Sequence, residues 1–148
     1  MPYDRPMTWG TTPRESIAAA CRDRGADAVI SDCIELVHGG DADPGLIVAL
    51  AGPGQERFLD KPEKERYWLR VWGVRGLLWA LSEHRTADPR IEATVVKALG
   101  DGHWRVREMA AKLAARHRIE SIQPALAALL TDENERVRVA AARAVRLL

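Results

Sequence analysis

The sequence predicts an all-α protein assembled from repeated helical hairpins. Three observations carry that reading. First, residues 91–117, IEATVVKALGDGHWRVREMAAKLAARH, and 122–148, IQPALAALLTDENERVRVAAARAVRLL, are two copies of one pattern. A shift of 31 positions carries Ile91 onto Ile122, Leu99 onto Leu130, Asp101 onto Asp132 and Arg105-Val106-Arg107 onto Arg136-Val137-Arg138. Self-similarity at a fixed period is the mark of a repeat architecture. Second, each copy has two runs with apolar residues at helical spacing: Ile91, Val95, Ala98 and Leu99, then Val106, Ala110, Leu113 and Ala114. A turn-forming cluster separates the runs, Gly100-Asp101-Gly102 in one copy and Thr131 to Asn134 in the other. Third, no segment alternates apolar and polar residues as a strand would. A lone hairpin cannot bury its apolar stripe, whereas stacked neighbours can.

The string LLTDENERVRVAAARAV, with its turn Asp, its Val-Arg pair and its small-residue run, resembles a HEAT repeat, and ALGDGHWRVREMAAKLA fits the same pattern. The resemblance is strong over 88–148 and weaker over 43–85; before that only the rhythm of helices continues it. It implies a right-handed α-solenoid of about four antiparallel helical hairpins and a scaffold role, not a reaction. The expected organisation is a single domain over 1–148. It comprises a tail over 1–12, an N-terminal hairpin over 13–38 and HEAT-like repeats over 43–85, 88–117 and 120–148.

The elements follow in order. Residues 1–11 carry Tyr3, Met7 and Trp9, too apolar for a solvated tail, and are expected to lie against the body. Thr12-Pro13-Arg14-Glu15 reads as a capping box with proline at the first helical position, opening a helix that Gly25 ends. A second helix from Asp27 to His38 places Val29, Ile30, Cys33, Ile34 and Val37 on one face. Asp43-Pro44 opens a third, broken by Gly52-Pro53-Gly54. Residues 55–60 are a short turn with Phe58 and Leu59. Pro62 is expected to start the fourth and longest helix, reaching about His84. Asp88-Pro89 opens the fifth, and Ser121 is expected to cap the seventh, with Pro124 in its first turn. Eight helices in four hairpins result.

Composition is that of an ordinary folded chain: 148 residues, 47% hydrophobic, 29% charged and net charge +1. No apolar run approaches the ~18 residues of a membrane span, so no membrane association is expected. MPYDRPMTWG lacks the pattern of a secretory signal. Cys21 and Cys33 form no CxxC or metal pattern and read as buried free thiols of a reducing, cytoplasmic compartment.

The fourth helix stands apart. Its stretch WLRVWGVRGLLWAL holds Trp68, Trp72 and Trp79, which fall within about 40° of one another at helical rotation. Two readings compete: a central helix packed on nearly all sides, or an aromatic face open to a ligand. Setting Leu69-Arg70 over Val106-Arg107, a shift of 37, places Gly73 on Ala110. Trp68 then falls in column with Arg105 and Arg136, and Arg75 with Lys112 and Arg143. The resemblance implies that second helices line a concave surface. The expected partner-binding groove is therefore Trp68, Trp72, Arg75, Trp79, Arg105, Lys112, Arg136 and Arg143. The competing account of these columns is a solvated charged face.

Charge is uneven. Residues 1–60 hold 5 basic and 10 acidic side chains, residues 61–148 hold 17 and 11. A basic half suits an acidic partner. Asp101 with Arg107, and Asp132 with Arg138, are each six apart. The resemblance implies that Asp and Arg so spaced bond between neighbouring hairpins as a structural ladder rather than a binding site.

Catalytic constellations are absent from the pattern. There is no Gly-rich phosphate loop. His38, His84, His103 and His117 are scattered, and none is followed by Glu, unlike the His-Glu pairs of HEAT-like iron hydroxylases. No metal, cofactor or enzymatic activity is expected. The leading function is a protein-interaction scaffold taking an acidic or helical segment in its groove. The second reading is nucleic-acid binding in the manner of HEAT-like DNA alkylation repair glycosylases, which hold DNA in a basic groove with tryptophans around the lesion. The third is a lyase or chaperone subunit of the kind known among bacterial HEAT-like proteins. Val139 and Leu147 point away from the Val137/Ala141/Leu148 stripe, so either a monomer or a weak homodimer through this end is expected.

Overall fold

In the computed structural model, residues 11–148 are described, and among them every regular element is helical. Helix α1 spans Pro13–Arg24, α2 Ala26–Val37, α3 Pro44–Ala51 and α4 Tyr67–Glu83. Helix α5 spans Pro89–Leu99, α6 Trp104–His117, α7 Gln123–Ala128 and α8 Glu135–Leu147. The described residues group into two compact units, one ending at Arg85 and one spanning Thr86–Leu148. Each pairs successive helices as hairpins and stacks its second helices, α2 on α4 and α6 on α8. The packing expected of Tyr3, Met7 and Trp9 lies outside the described residues.

In the first unit the starts are fixed by side chains. Thr12 Oγ1 accepts the Glu15 N–H at 3.2 Å while Glu15 Oε1 accepts the Thr12 N–H at 3.0 Å. The two bonds form the capping box, and the Thr12 backbone N–H holds the Glu15 carboxyl below its usual range. Asp43 accepts the Leu46 N–H at 3.2 Å and pairs with Arg24 at 2.7 Å, tying the end of α1 to the start of α3. Pro62 does not start α4. It precedes a 3-10 turn over Glu63–Glu65, and the α-helix begins at Tyr67. Arg66 instead anchors this entry, donating to the Leu59 carbonyl at 2.7 Å and to Asp41 at 2.6 Å.

Helix α4 is the hub of the unit, packed by α1, α2 and α3. Leu69, Val71, Trp72, Val74, Leu77, Leu78, Ala80 and Leu81 are all buried. Close approach to α2 requires its glycines. A methyl built on Gly73 would lie 2.9 Å from the Cys33 carbonyl oxygen, and one on Gly76 would overlap Cys33 Sγ and meet a Leu50 methyl at 2.8 Å. Cys21 and Cys33 are both buried free thiols, and burial pushes the Cys33 thiol up.

In the second unit the repeat becomes geometry. Asp101 Oδ1 accepts the His103 N–H at 2.8 Å, and Asp132 Oδ2 accepts the Asn134 N–H at 2.9 Å. His103 then caps α6 by accepting the Arg105 N–H at 3.1 Å, as Asn134 caps α8 by accepting the Arg136 N–H at 2.9 Å. Ser121 does not cap the seventh helix. It lies in a 3-10 turn over Glu120–Ile122, and α7 starts at Gln123 without a side-chain cap. A second 3-10 turn, Leu129–Thr131, tightens the exit from α7. No described helix is long and apolar enough to cross a membrane.

Candidate functional site

The residues expected to form a groove fall in both units, and each set has its own setting. In the first, α3 ends at Ala51, and Gly52 (φ 110°) and Gly54 (φ 89°) turn the chain back with positive backbone angles that side chains resist. The following 3-10 turn, Gln55–Asp60, brings Phe58 edge-on to Trp72 with ring centres 5.4 Å apart. Trp68 lies nearly parallel to Trp72 at 6.0 Å. Arg75 Nη1 donates to the Leu50 carbonyl at 3.1 Å. Arg57 Nη1 donates to the Gly54 carbonyl at 2.8 Å, with its guanidinium 4.8 Å from the centre of the Phe58 ring. A cavity of about 540 Å³ results, lined by Ala51, Pro53, Gln55, Arg57, Phe58, Trp68, Trp72 and Arg75.

Two corrections to the aromatic face follow. Trp72 is a core residue, 5% exposed, because α4 is covered on nearly every side. Trp79 does not line the cavity with Trp68 and Trp72. It is half-buried, and the guanidinium of Arg14 on α1 sits 4.9 Å from its ring centre. Helical rotation put the three indoles on one side, but different neighbours meet that side along its length. Arg57 and Phe58 belong to the cavity although neither is among the expected groove residues; the glycine-flanked turn with an isolated phenylalanine is their signal in the sequence.

In the second unit, Arg105 and Arg136 converge on Trp104, with guanidinium carbons 4.5 and 5.3 Å from its ring centre. Such stacking is weakly attractive, about 0.5–1 kcal/mol at exposed sites. Beside them Glu108 accepts from Arg136 Nε at 3.1 Å and lies 3.6 Å from Lys112 Nζ; its side chain is only 13% exposed. One carboxylate therefore offsets part of this basic patch. Its position four residues before Lys112 was the sequence signal. Arg143, one repeat beyond Lys112, is exposed on α8.

The ladder residues form their own network. Arg107 donates through Nε and Nη2 to both Asp132 carboxylate oxygens, at 2.9 and 3.1 Å, and through Nη1 to the Asp101 carbonyl at 2.9 Å. Arg138 repeats only the last bond, to the Asp132 carbonyl at 2.7 Å. Burial would raise the Asp132 carboxyl, but hydrogen bonds from Arg107 and the Asn134 N–H outweigh it and hold it below its usual range. Elsewhere His84 lies 3.3 Å from Asp27. Among the described residues no group of three His, Cys, Asp or Glu is placed to hold a metal ion.

Comparison with known proteins returns one match. Residues 92–148 fit the family model of HEAT repeats, whose members generally mediate protein–protein interaction. No curated protein and no solved structure matches the chain. Family model, period and interlocked Asp–Arg geometry agree on the same segment, and residues 92–148 are HEAT repeats.

Proposed function

We propose that the chain is a protein-interaction scaffold without catalysis of its own, and that it binds an acidic or helical segment along the second helices of its C-terminal unit. The contact residues are Arg105, Lys112, Arg136 and Arg143 on α6 and α8. The observation that carries this reading is the convergence of Arg105 and Arg136, equivalent positions of successive repeats, on the Trp104 ring. Tryptophan and arginine are the side chains most enriched at binding hot spots, through contact area and forked hydrogen bonding. Residues 86–148 hold 11 basic and 8 acidic side chains, a sign that suits an acidic partner.

The glycosylase-like alternative needs a carboxylate beside the tryptophans. Among the described residues lining the cavity at Trp68 and Trp72 there are two arginines and no Asp or Glu. Duplex or single-stranded DNA should therefore bind no tighter than about micromolar at physiological salt.

The test is capture from the host lysate, with retained proteins and nucleic acid counted by mass spectrometry and absorbance. The Arg136→Glu/Arg143→Glu variant should lose the proteins that the wild type retains, at unchanged helical circular dichroism. Equal retention by both refutes the assignment of this face. Retention of nucleic acid in place of protein refutes the class.

A further inference from the structure

We infer that the cavity between the end of α3 and α4 is a pocket for a single anchor of the partner: an aromatic or leucine side chain with an adjoining carboxylate. This rests on the interaction reading above and adds a second, chemically distinct contact to it.

Three observations select that ligand. The walls are aromatic: the rings of Phe58 and Trp68 lie 5.4 and 6.0 Å from that of Trp72. Ring faces and edges at this spacing favour a further apolar or planar group. Both charged residues of the lining are arginines, Arg57 and Arg75, and Lys61 lies 6.0 Å from the Phe58 ring centre. A cationic anchor is therefore repelled and a carboxylate accepted. Arg57 is exposed and held through Nη1 alone, so Nε and Nη2 present the fork that a carboxylate fits. Finally, about 540 Å³ is the scale of a pocket that encloses one large side chain with its neighbouring groups.

A long polyanion is the poorer fit. Residues 1–85 carry 13 acidic against 11 basic side chains. The cavity is thus a local positive spot on a unit of net negative charge. A single carboxylate feels the nearby arginines, whereas phosphates spaced along a strand meet the repelling remainder within a Debye length of about 8 Å. The two positive-φ glycines at 52 and 54 shape the loop that carries Arg57, which ties the site to this turn.

The test is selection of a random peptide library against the full chain, followed by titration of the enriched peptides. The expected result is peptides with Phe, Trp, Tyr or Leu beside Asp or Glu. Their affinity should fall about tenfold or more for Arg57→Glu and less for Arg57→Gln, with circular dichroism unchanged. The same peptides should bind Lys97→Glu, a reversal at an exposed position of α5, as they bind the wild type. No enrichment, or enriched peptides indifferent to Arg57→Glu, overturns the inference. Peptides lost with Arg136→Glu/Arg143→Glu but not with Arg57→Glu overturn it while leaving the second-helix reading intact. Displacement of the enriched peptides by oligothymidylate would make the site a nucleic-acid contact. Displacement by a synthetic peptide of residues 1–10 would make the chain's own segment the occupant. Either outcome overturns the inference.

Discussion

Replacing Asp132 by Asn tests what ties the two C-terminal hairpins together. The amide keeps a side-chain oxygen for the Asn134 N–H, so the change isolates the charge that Arg107 grips with two bonds. Both side chains are largely out of water, 11% and 9% exposed. Unpairing a buried charge costs about 3–5 kcal/mol, and a charge-assisted bond is worth about 1.5–3 kcal/mol. The retained bond from Arg107 to the Asp101 carbonyl offsets part of this. Glu133 offsets little, being 91% exposed and 4.0 Å away. A loss of about 2–4 kcal/mol is expected. Arg138→Met, which removes the bond to the Asp132 carbonyl, should cost only about 1 kcal/mol. Urea unfolding followed by far-ultraviolet circular dichroism measures both, and a double-mutant cycle of Arg107→Met with Asp132→Asn should give a coupling of about 1.5–3 kcal/mol. The pH dependence supplies an independent sign. A carboxyl held low in the folded state contributes stability above its unfolded value, about 3.9, and loses it as pH falls through the folded one. The gap between wild type and Asp132→Asn should therefore be full at neutral pH and close in the acid range below about pH 4. A coupling under about 0.5 kcal/mol, or a gap independent of pH, refutes the reasoning.

Other substitutions probe the scaffold. Gly76→Ala should destabilise by about 1–3 kcal/mol through overlap with Cys33 Sγ, and adding Cys33→Ala should return part of that in the same urea assay. Arg118 holds a left-handed conformation (φ 49°) after α6, so Arg118→Gly should raise the melting temperature by an amount equivalent to about 0.5–1 kcal/mol. His103→Asn copies the cap of the following repeat and should be neutral or stabilising, whereas His103→Ala should cost about 1 kcal/mol by thermal melting.

Local signals were legible because short-range geometry decides them. Thr12 with Glu15, Asp43 and Asp88 cap helices as their spacing indicates, each satisfying amides within three residues. The 31-residue register also carried through to equivalent atoms, as at His103 and Asn134. What failed depended on distant partners. Pro62 looked like a helix start, but Arg66 bonded across to Asp41 and Leu59 and delayed it to Tyr67. Trp68, Trp72 and Trp79 share a side of α4 by rotation. Phe58 from the 3-10 turn and Arg14 from α1 gave them separate environments, and no periodicity encodes those contacts. Glu108 differs again: it stands within the column of cations, bonded to Arg136 and beside Lys112, and a register built on the basic positions does not contain it.

Which face meets the partner is open to direct measurement by site-specific photo-crosslinking in the host. A benzoylphenylalanine placed at Arg143, exposed on α8, should give a covalent adduct with the protein partner. The same group at Lys97, exposed on the first helix α5, should give none. Adducts from Lys97 without adducts from Arg143 would contradict the account and move the binding surface to the first helices.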